Sequence, residues 1–168
     1  MRALGAWAVS TRALSTEHSK LIPFPAMSAL NDVVVVEFAS GVAGPYCGRL
    51  LSDLGATVIK VETAVGDHMR GSEPRVNGES AFFNYLNAGK AGVVAEASAE
   101  ELAPVLARAD IVTHSLLGAE ADALEARVKA ANAAAIVLSL SPYGRTGERS
   151  KSNGWRLDFR ARISAAPR

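Results

Sequence analysis

The sequence predicts an α/β domain with a mainly parallel sheet and helices on both faces. Three observations carry that reading. Short β-branched runs recur along the chain, and stretches of helical spacing separate them. The first two runs, residues 33–38 and 57–61, are 18 residues apart, room for a crossover helix and too long for a hairpin. At 168 residues the chain is long enough for one domain with a real core.

Each element has its own warrant. Residues 33–38 include four consecutive valines, suited to a strand buried on both faces. The loop Gly41-Val42-Ala43-Gly44 follows, and Pro45 suits a first helical turn, where its missing N–H is not needed. Tyr46, Leu50, Leu51 and Leu54 recur at helical spacing, and Gly55 is a C-terminal stop, so a helix is expected over 45–54. Residues 57–61 form the second strand.

A long polar excursion, 62–87, interrupts the alternation; it holds "GDHMRG" and the aromatic cluster "FFNYLN". Residues 91–95 read as a short strand. Ser98 with Glu101 reads as a capping box opening a helix to about residue 108. Residues 110–113 form another strand, 119–130 an amphipathic helix with Leu124 and Val128 on one side, and 134–140 the last strand.

The loop at 41–44 stands where open α/β sheets receive ligands, beyond a strand's carboxyl end and against a helix N-terminus. Its glycines at 41, 44 and 48 do not form G-x-G-x-x-G, and no Lys-Ser/Thr pair makes a P-loop. Two readings stand on this loop alone: small residues that let a ligand approach the backbone, or glycines that serve only a tight turn.

Composition narrows the class. Hydrophobic residues make up 49% of the chain and aromatics only 6%, so the core is expected to be aliphatic. No apolar run reaches the ~18–20 residues of a membrane span. Residues 27–144 carry eight basic and fourteen acidic side chains, and 145–168 carry seven and two. An acidic body with a basic tail is not the footprint of a nucleic-acid binder. The lone Cys47 excludes an internal disulfide and suits a reducing cytoplasm. His18, His68 and His114 lack ligand spacing among themselves or with Cys47, so no metal site is expected. Residues 1–26 form an extension with two readings, a transit-like segment or an early start codon with Met27 as the natural first residue. The second is preferred.

Read in order, "GVAGPYCGRLLSDLGATVIKVE", "GDHMR", "SAFFNYLNAGKAGV", "ADIV" and "LSLSPYGRTG" resemble the N-terminal half of the class III CoA-transferases. That family takes in formyl-CoA transferases, carnitine CoA-transferases and α-methylacyl-CoA racemases. Its motifs are A-G-P-x-x-x-x-x-L-x-D-L-G-A-x-V-I-K-V-E, G-D-x-x-R, S-x-x-F-x-x-x-N-R-G-K, A-D-V and S-x-S-G-Y-G-x-x-G-P. The resemblance covers about residues 30–147. It implies a Rossmann-like fold, here an incomplete large domain over 27–147 followed by a divergent basic tail over 148–168. It also implies acyl-CoA and carboxylate substrates, no permanently bound cofactor, and interlocked homodimers.

Site residues follow from the resemblance one by one. Gly41, Val42 and Ala43 match the loop that packs on the adenosine and pantetheine of CoA. Thr63 falls where relatives place a residue against the adenine. Ser115 and Leu116 match the lining of the CoA channel, and Ser141 and Tyr143 match a segment beside the thioester. Departures remove cations: Asn-Phe-Arg-Pro-Gly has become Ser115-Leu116-Leu117-Gly118-Ala119, and Lys90 survives without its arginine neighbours. Lys90 and Arg70 are the cations the motifs leave for the CoA phosphates.

The family's transferases use an aspartate that attacks the thioester, forms a mixed anhydride and then an aspartyl-CoA thioester. That aspartate is expected some two to three dozen residues beyond Tyr143. The tail "NGWRLDFRARISAAPR" offers only Asp158, which lies early for it and reads as a surface charge. Two readings follow: a relative of CoA-transferases or of the racemases, or a non-catalytic truncated piece with residual CoA binding. A generic NAD-binding module is the weakest alternative, for want of G-x-G-x-x-G.

Overall fold

The computed structural model describes residues 28–145, 147 and 148. In chain order the main elements are β1 (Val34–Phe38), α1 (Ala43–Asp53), β2 (Thr57–Glu62), β3 (Arg75–Val76), β4 (Glu79–Ser80), α2 (Ala81–Asn87) and β5 (Ala91–Val94). They continue with α3 (Ala103–Leu106), β6 (Ile111–His114), α4 (Gly118–Ala131) and β7 (Ile136–Ser139). Five strands form one parallel sheet in the order β5-β2-β1-β6-β7. Chain order runs outward from β1 in one direction and then in the other, so the switch lies between β1 and β6.

Strand alternation sorts the core into two layers. Val36 and Phe38 of β1 join Val61, Val112, Leu102, Leu106, Leu124 and Val128, so α3 and α4 cover that face. On the other face Val35 and Val58 pack with Leu51 of α1, and α2 lies beside α1. The expected α/β architecture with helices on both faces is present.

Helix α1 departs from its expected stripe. Tyr46, Leu50 and Leu54 are exposed, and its buried residues are Gly44, Pro45 and Gly48. A Cβ at Gly44 would stand 2.2 Å from the Ala39 Cβ, and one at Gly48 would stand 2.0 Å from Glu37 Oε2. The helix therefore lies on β1 through its smallest residues, closer than a leucine stripe allows. Gly55, at φ +100°, ends it as expected.

The capping box at Ser98 and Glu101 does not form. Ala99 caps a 3₁₀ turn, Glu100–Leu102, with no side-chain hydrogen bond, and α3 is only four residues long. Pro104 explains this: inside a helix begun at Ser98 it would lack an N–H and clash with the preceding turn, so the chain restarts its helix at the proline. The amphipathic helix over 119–130 is present as α4, with Ala121, Leu124 and Val128 buried.

The polar excursion contains a 3₁₀ turn, His68–Gly71, and the hairpin β3–β4. Asn77 at φ 53° and Gly78 at φ 84° make its turn, a local Asn-Gly signal of a tight hairpin. Ser80 then caps α2 by accepting from Phe83 N at 3.2 Å. No helix among the described residues is long and apolar enough to cross a membrane.

Candidate functional site at the sheet switch

The parallel sheet sets the expected site residues on one edge. β1 and β6 end side by side, with Phe38 registered against His114. Gly41, Val42 and Ala43 follow β1, Ser115 and Leu116 follow β6, Thr63 follows β2, and Ser141 and Tyr143 lie just past β7. Parallel strands put all eight beyond carboxyl ends. Thr63 is exposed; Ser115, Leu116, Ser141 and Tyr143 are half-buried.

Three side chains grip the exit of β1. Lys60 Nζ donates to Ala39 O at 2.7 Å. Ser40 N donates to Ser115 Oγ at 3.1 Å, and Gly41 N donates to Asp67 Oδ1 at 3.3 Å. Gly41 sits at φ +80°, and a Cβ there would meet the His68 ring at 3.5 Å. The N–H groups of Ser40 and Gly41 are thus engaged by side chains of the protein. Toward solvent the loop offers exposed Val42 and Ala43, a small apolar wall.

Below the loop lies a buried charge cluster. Glu37 is 0% exposed, Lys60 2%, Asp67 5% and Lys90 7%. Lys90 Nζ donates to Glu37 Oε2 at 2.8 Å, to Pro45 O at 2.8 Å and to Asn87 Oδ1 at 3.0 Å. Lys60 Nζ reaches Glu37 Oε1 at 3.1 Å and Asp67 Oδ2 at 3.2 Å. Burial pushes the Lys90 amine below its ordinary pKa, and the Glu37 carboxylate works against that. Two positive and two negative groups sit together, which is how buried charges are tolerated.

Arg70, about a third exposed, grips Glu62 with two hydrogen bonds of 2.8 and 2.7 Å and lies 4.1 Å from the Phe83 ring centroid. It lines a groove between α2 and strands β2 and β5, together with Glu62, Phe83, Asn84 and Asn87. Burial works to raise the Glu62 carboxyl, but the Arg70 bonds, the Asp67 N–H and the nearby cations outweigh it and hold it below its usual range.

His114 is fully buried at the end of β6. Its Nε2 meets Glu125 Oε1 at 3.0 Å, and Arg145 pairs with both Glu125 and Asp122. Cys47 is half-buried in α1. Asp158 lies outside the described residues.

Sequence reasoning missed Glu37, Lys60 and Asp67. A signal existed: a run read as buried on both faces contains a glutamate, and its neighbour "TVIKVE" contains a lysine. Two buried strands with opposite charges call for a pairing.

A five-stranded parallel sheet with a gripped small-residue loop at its switch point defines a Rossmann-like α/β domain. Comparison with known proteins narrows the class. Residues 30–164 match the model of CoA-transferase family III, and the chain belongs to that family. It is 34% identical over 98 residues to the succinyl-CoA:mesaconate CoA-transferase of Haloarcula hispanica, covering 53% of this chain and 25% of that enzyme. It is 31% identical over 137 residues to the succinate–glutarate CoA-transferase of Agrobacterium fabrum, covering 70% of this chain and 33% of the relative.

Solved structures agree. A CAIB/BAIF family protein from Brucella suis superposes with a TM-score of 0.69 at 32% identity, covering 77% of this chain and 38% of the other. Rv3272 from Mycobacterium tuberculosis gives 0.71 at 27% identity, covering 83% and 41%. The chain thus spans between a quarter and about two fifths of the length of these relatives.

Proposed function

We propose that this chain forms the CoA-facing part of an acyl-CoA site of the CoA-transferase type. The observation that carries this is the loop after β1, whose Ser40 and Gly41 N–H groups are already engaged by Ser115 and Asp67, leaving exposed Val42 and Ala43. Such a surface suits packing against adenosine and pantetheine better than it suits cradling a phosphate. On this reading Gly41, Val42 and Ala43 carry that contact. Thr63 stands by the adenine, Ser115 and Leu116 line the channel, and Ser141 and Tyr143 lie toward the thioester. Lys90 and Arg70, the cations expected for the phosphates, both have their heads engaged by carboxylates, Lys90 within a buried and charge-balanced cluster, which fits weak capture of the phosphates.

Acyl transfer needs a carboxylate within ~3–3.5 Å of the thioester carbon. Glu37 and Asp67, the carboxylates beneath the loop, are buried and held by lysines, so neither serves as nucleophile. We therefore assign the described residues a binding contribution, with weak CoA affinity.

Calorimetry with CoA, succinyl-CoA and NAD tests the binding reading. CoA and succinyl-CoA are expected to bind weakly and NAD not at all; NAD binding without CoA binding would sink it. Labelled acyl-CoA with a range of carboxylate acceptors tests turnover. Steady transfer that Asp158→Ala abolishes would show that the nucleophile lies in the tail.

A further inference from the structure

We propose that Asp67 is a positioning residue that, with Lys60, latches the CoA-facing loop in its working shape. The proposal rests on the reading of that loop as a CoA surface.

One carboxylate joins three pieces of the site. Asp67 Oδ1 accepts from Gly41 N at 3.3 Å and from Met69 N at 3.0 Å, and Oδ2 stands 3.2 Å from Lys60 Nζ. Lys60 in turn holds Ala39 O at 2.7 Å. The backbone is therefore gripped on both sides of Ser40, by a cation on a carbonyl and by an anion on an N–H. Hydrogen bonds to charged groups are stronger than neutral ones, and this carboxylate is shielded from water, its side chain 1% exposed.

The same carboxylate sets the opposite wall. By accepting from Met69 N it caps the 3₁₀ turn that carries His68, whose imidazole is 59% exposed and lies against Gly41. Asp67 is itself braced: its N–H donates to Glu62 Oε2 at 2.9 Å, and Arg70 donates to that same oxygen and to Glu62 Oε1. The segment "GDHMR" thereby gains a physical account. Gly66, at φ +78°, turns the chain, Asp67 latches the loop, His68 faces it, and Arg70 braces the latch through Glu62.

The latch spends the Gly41 N–H and holds that residue in the left-handed region, so the loop's shape exists before any ligand arrives. A preordered surface binds without ordering its own backbone first. Losing the latch frees residues 39–42 while the strands beneath stay paired.

The test is site-resolved amide exchange with CoA calorimetry on the full chain. Asp67→Ala is expected to speed exchange of the Gly41 amide by about tenfold or more, with Val35 and Val112 unchanged, and to weaken CoA binding by about fivefold. Asp67→Asn keeps an oxygen for Gly41 but turns its NH₂ group toward Lys60. Its Gly41 acceleration is expected to be smaller than in the alanine variant and still above that of the core amides.

Gly41 exchanging at the wild-type rate in Asp67→Ala overturns the latch. If the alanine variant does not fold, Asp67→Asn decides: Gly41 accelerating only in step with Val35 and Val112 overturns it. Absence of CoA binding by the wild-type chain strikes the CoA reading instead, while the exchange arm still reports on the latch.

Discussion

Glu37 and Lys60 are register partners on neighbouring strands β1 and β2, and their side chains meet at 3.1 Å with almost no exposure to water. Lys90 closes on the same carboxylate at 2.8 Å. One glutamate therefore bridges two lysines from two segments, beneath the loop proposed to face CoA, and Asp67 supplies the second negative charge. Removing it leaves buried ammonium groups with only Asp67 and carbonyls for company. Glu37→Ala is expected to cost about 3–5 kcal/mol, measured by urea unfolding. A loss under ~1 kcal/mol would mean that water reaches the cluster.

Gly48 lies directly over that carboxylate. Replacing glycine by alanine inside a helix ordinarily gains about 1 kcal/mol. Here the added Cβ would fall 2.0 Å from Glu37 Oε2 and 3.1 Å from Lys90 Nζ, so overpacking of about 1–3 kcal/mol and disturbance of the ion pairs win. Gly48→Ala is expected to lower Tm, whereas Leu50→Ala, at a position 48% exposed, changes stability far less. Equal Tm values for the two variants would contradict the packing of α1 on β1.

His114 makes stability depend on pH. Burial chiefly, with the Arg145 charge, holds its imidazole below the ordinary value of 6.5, against an opposing backbone bond at Leu116. Below about pH 6.5 the unfolded chain binds a proton that the folded protein refuses, so stability falls as pH drops from there toward the depressed folded value. Glu62, also depressed, adds a separate loss below its ordinary 4.5. Unfolding at pH 7.5, 6.0 and 5.0 is expected to show declining stability, and His114→Gln to flatten the slope between 6.5 and 5. An unchanged slope in that variant would place the proton elsewhere.

Val42 separates binding from folding. It occupies the N-cap of α1 with no side-chain cap and is 48% exposed. Val42→Asp puts a carboxylate at a helix N-terminus, where it does no harm to stability, but sets it against a ligand bearing phosphates. CoA binding is expected to weaken by about tenfold, ~1.4 kcal/mol, with Tm unchanged or raised. Undiminished binding would move the ligand away from this loop.

What the sequence determined by itself is what neighbouring residues decide among themselves. The β-branched runs became β1, β2, β6 and β7, Gly55 stopped α1, and the 18-residue spacing required a parallel crossover. The motif order marked the family, and the Asn77-Gly78 hairpin was equally local. Tertiary structure decided the rest. Of Tyr46, Leu50, Leu51 and Leu54, which recur at helical spacing, Leu51 packs on the sheet while the other three are exposed, and Gly44 and Gly48 lie where β1 comes too close for a Cβ. The Ser98 capping box yielded to Pro104, three residues beyond Glu101. Glu37 meets Lys60 and Lys90 across 23 and 53 residues of chain, and only strand register joins them. A buried charge is tolerable only beside its partner, and which residue becomes the partner is settled when the sheet closes, not along the chain.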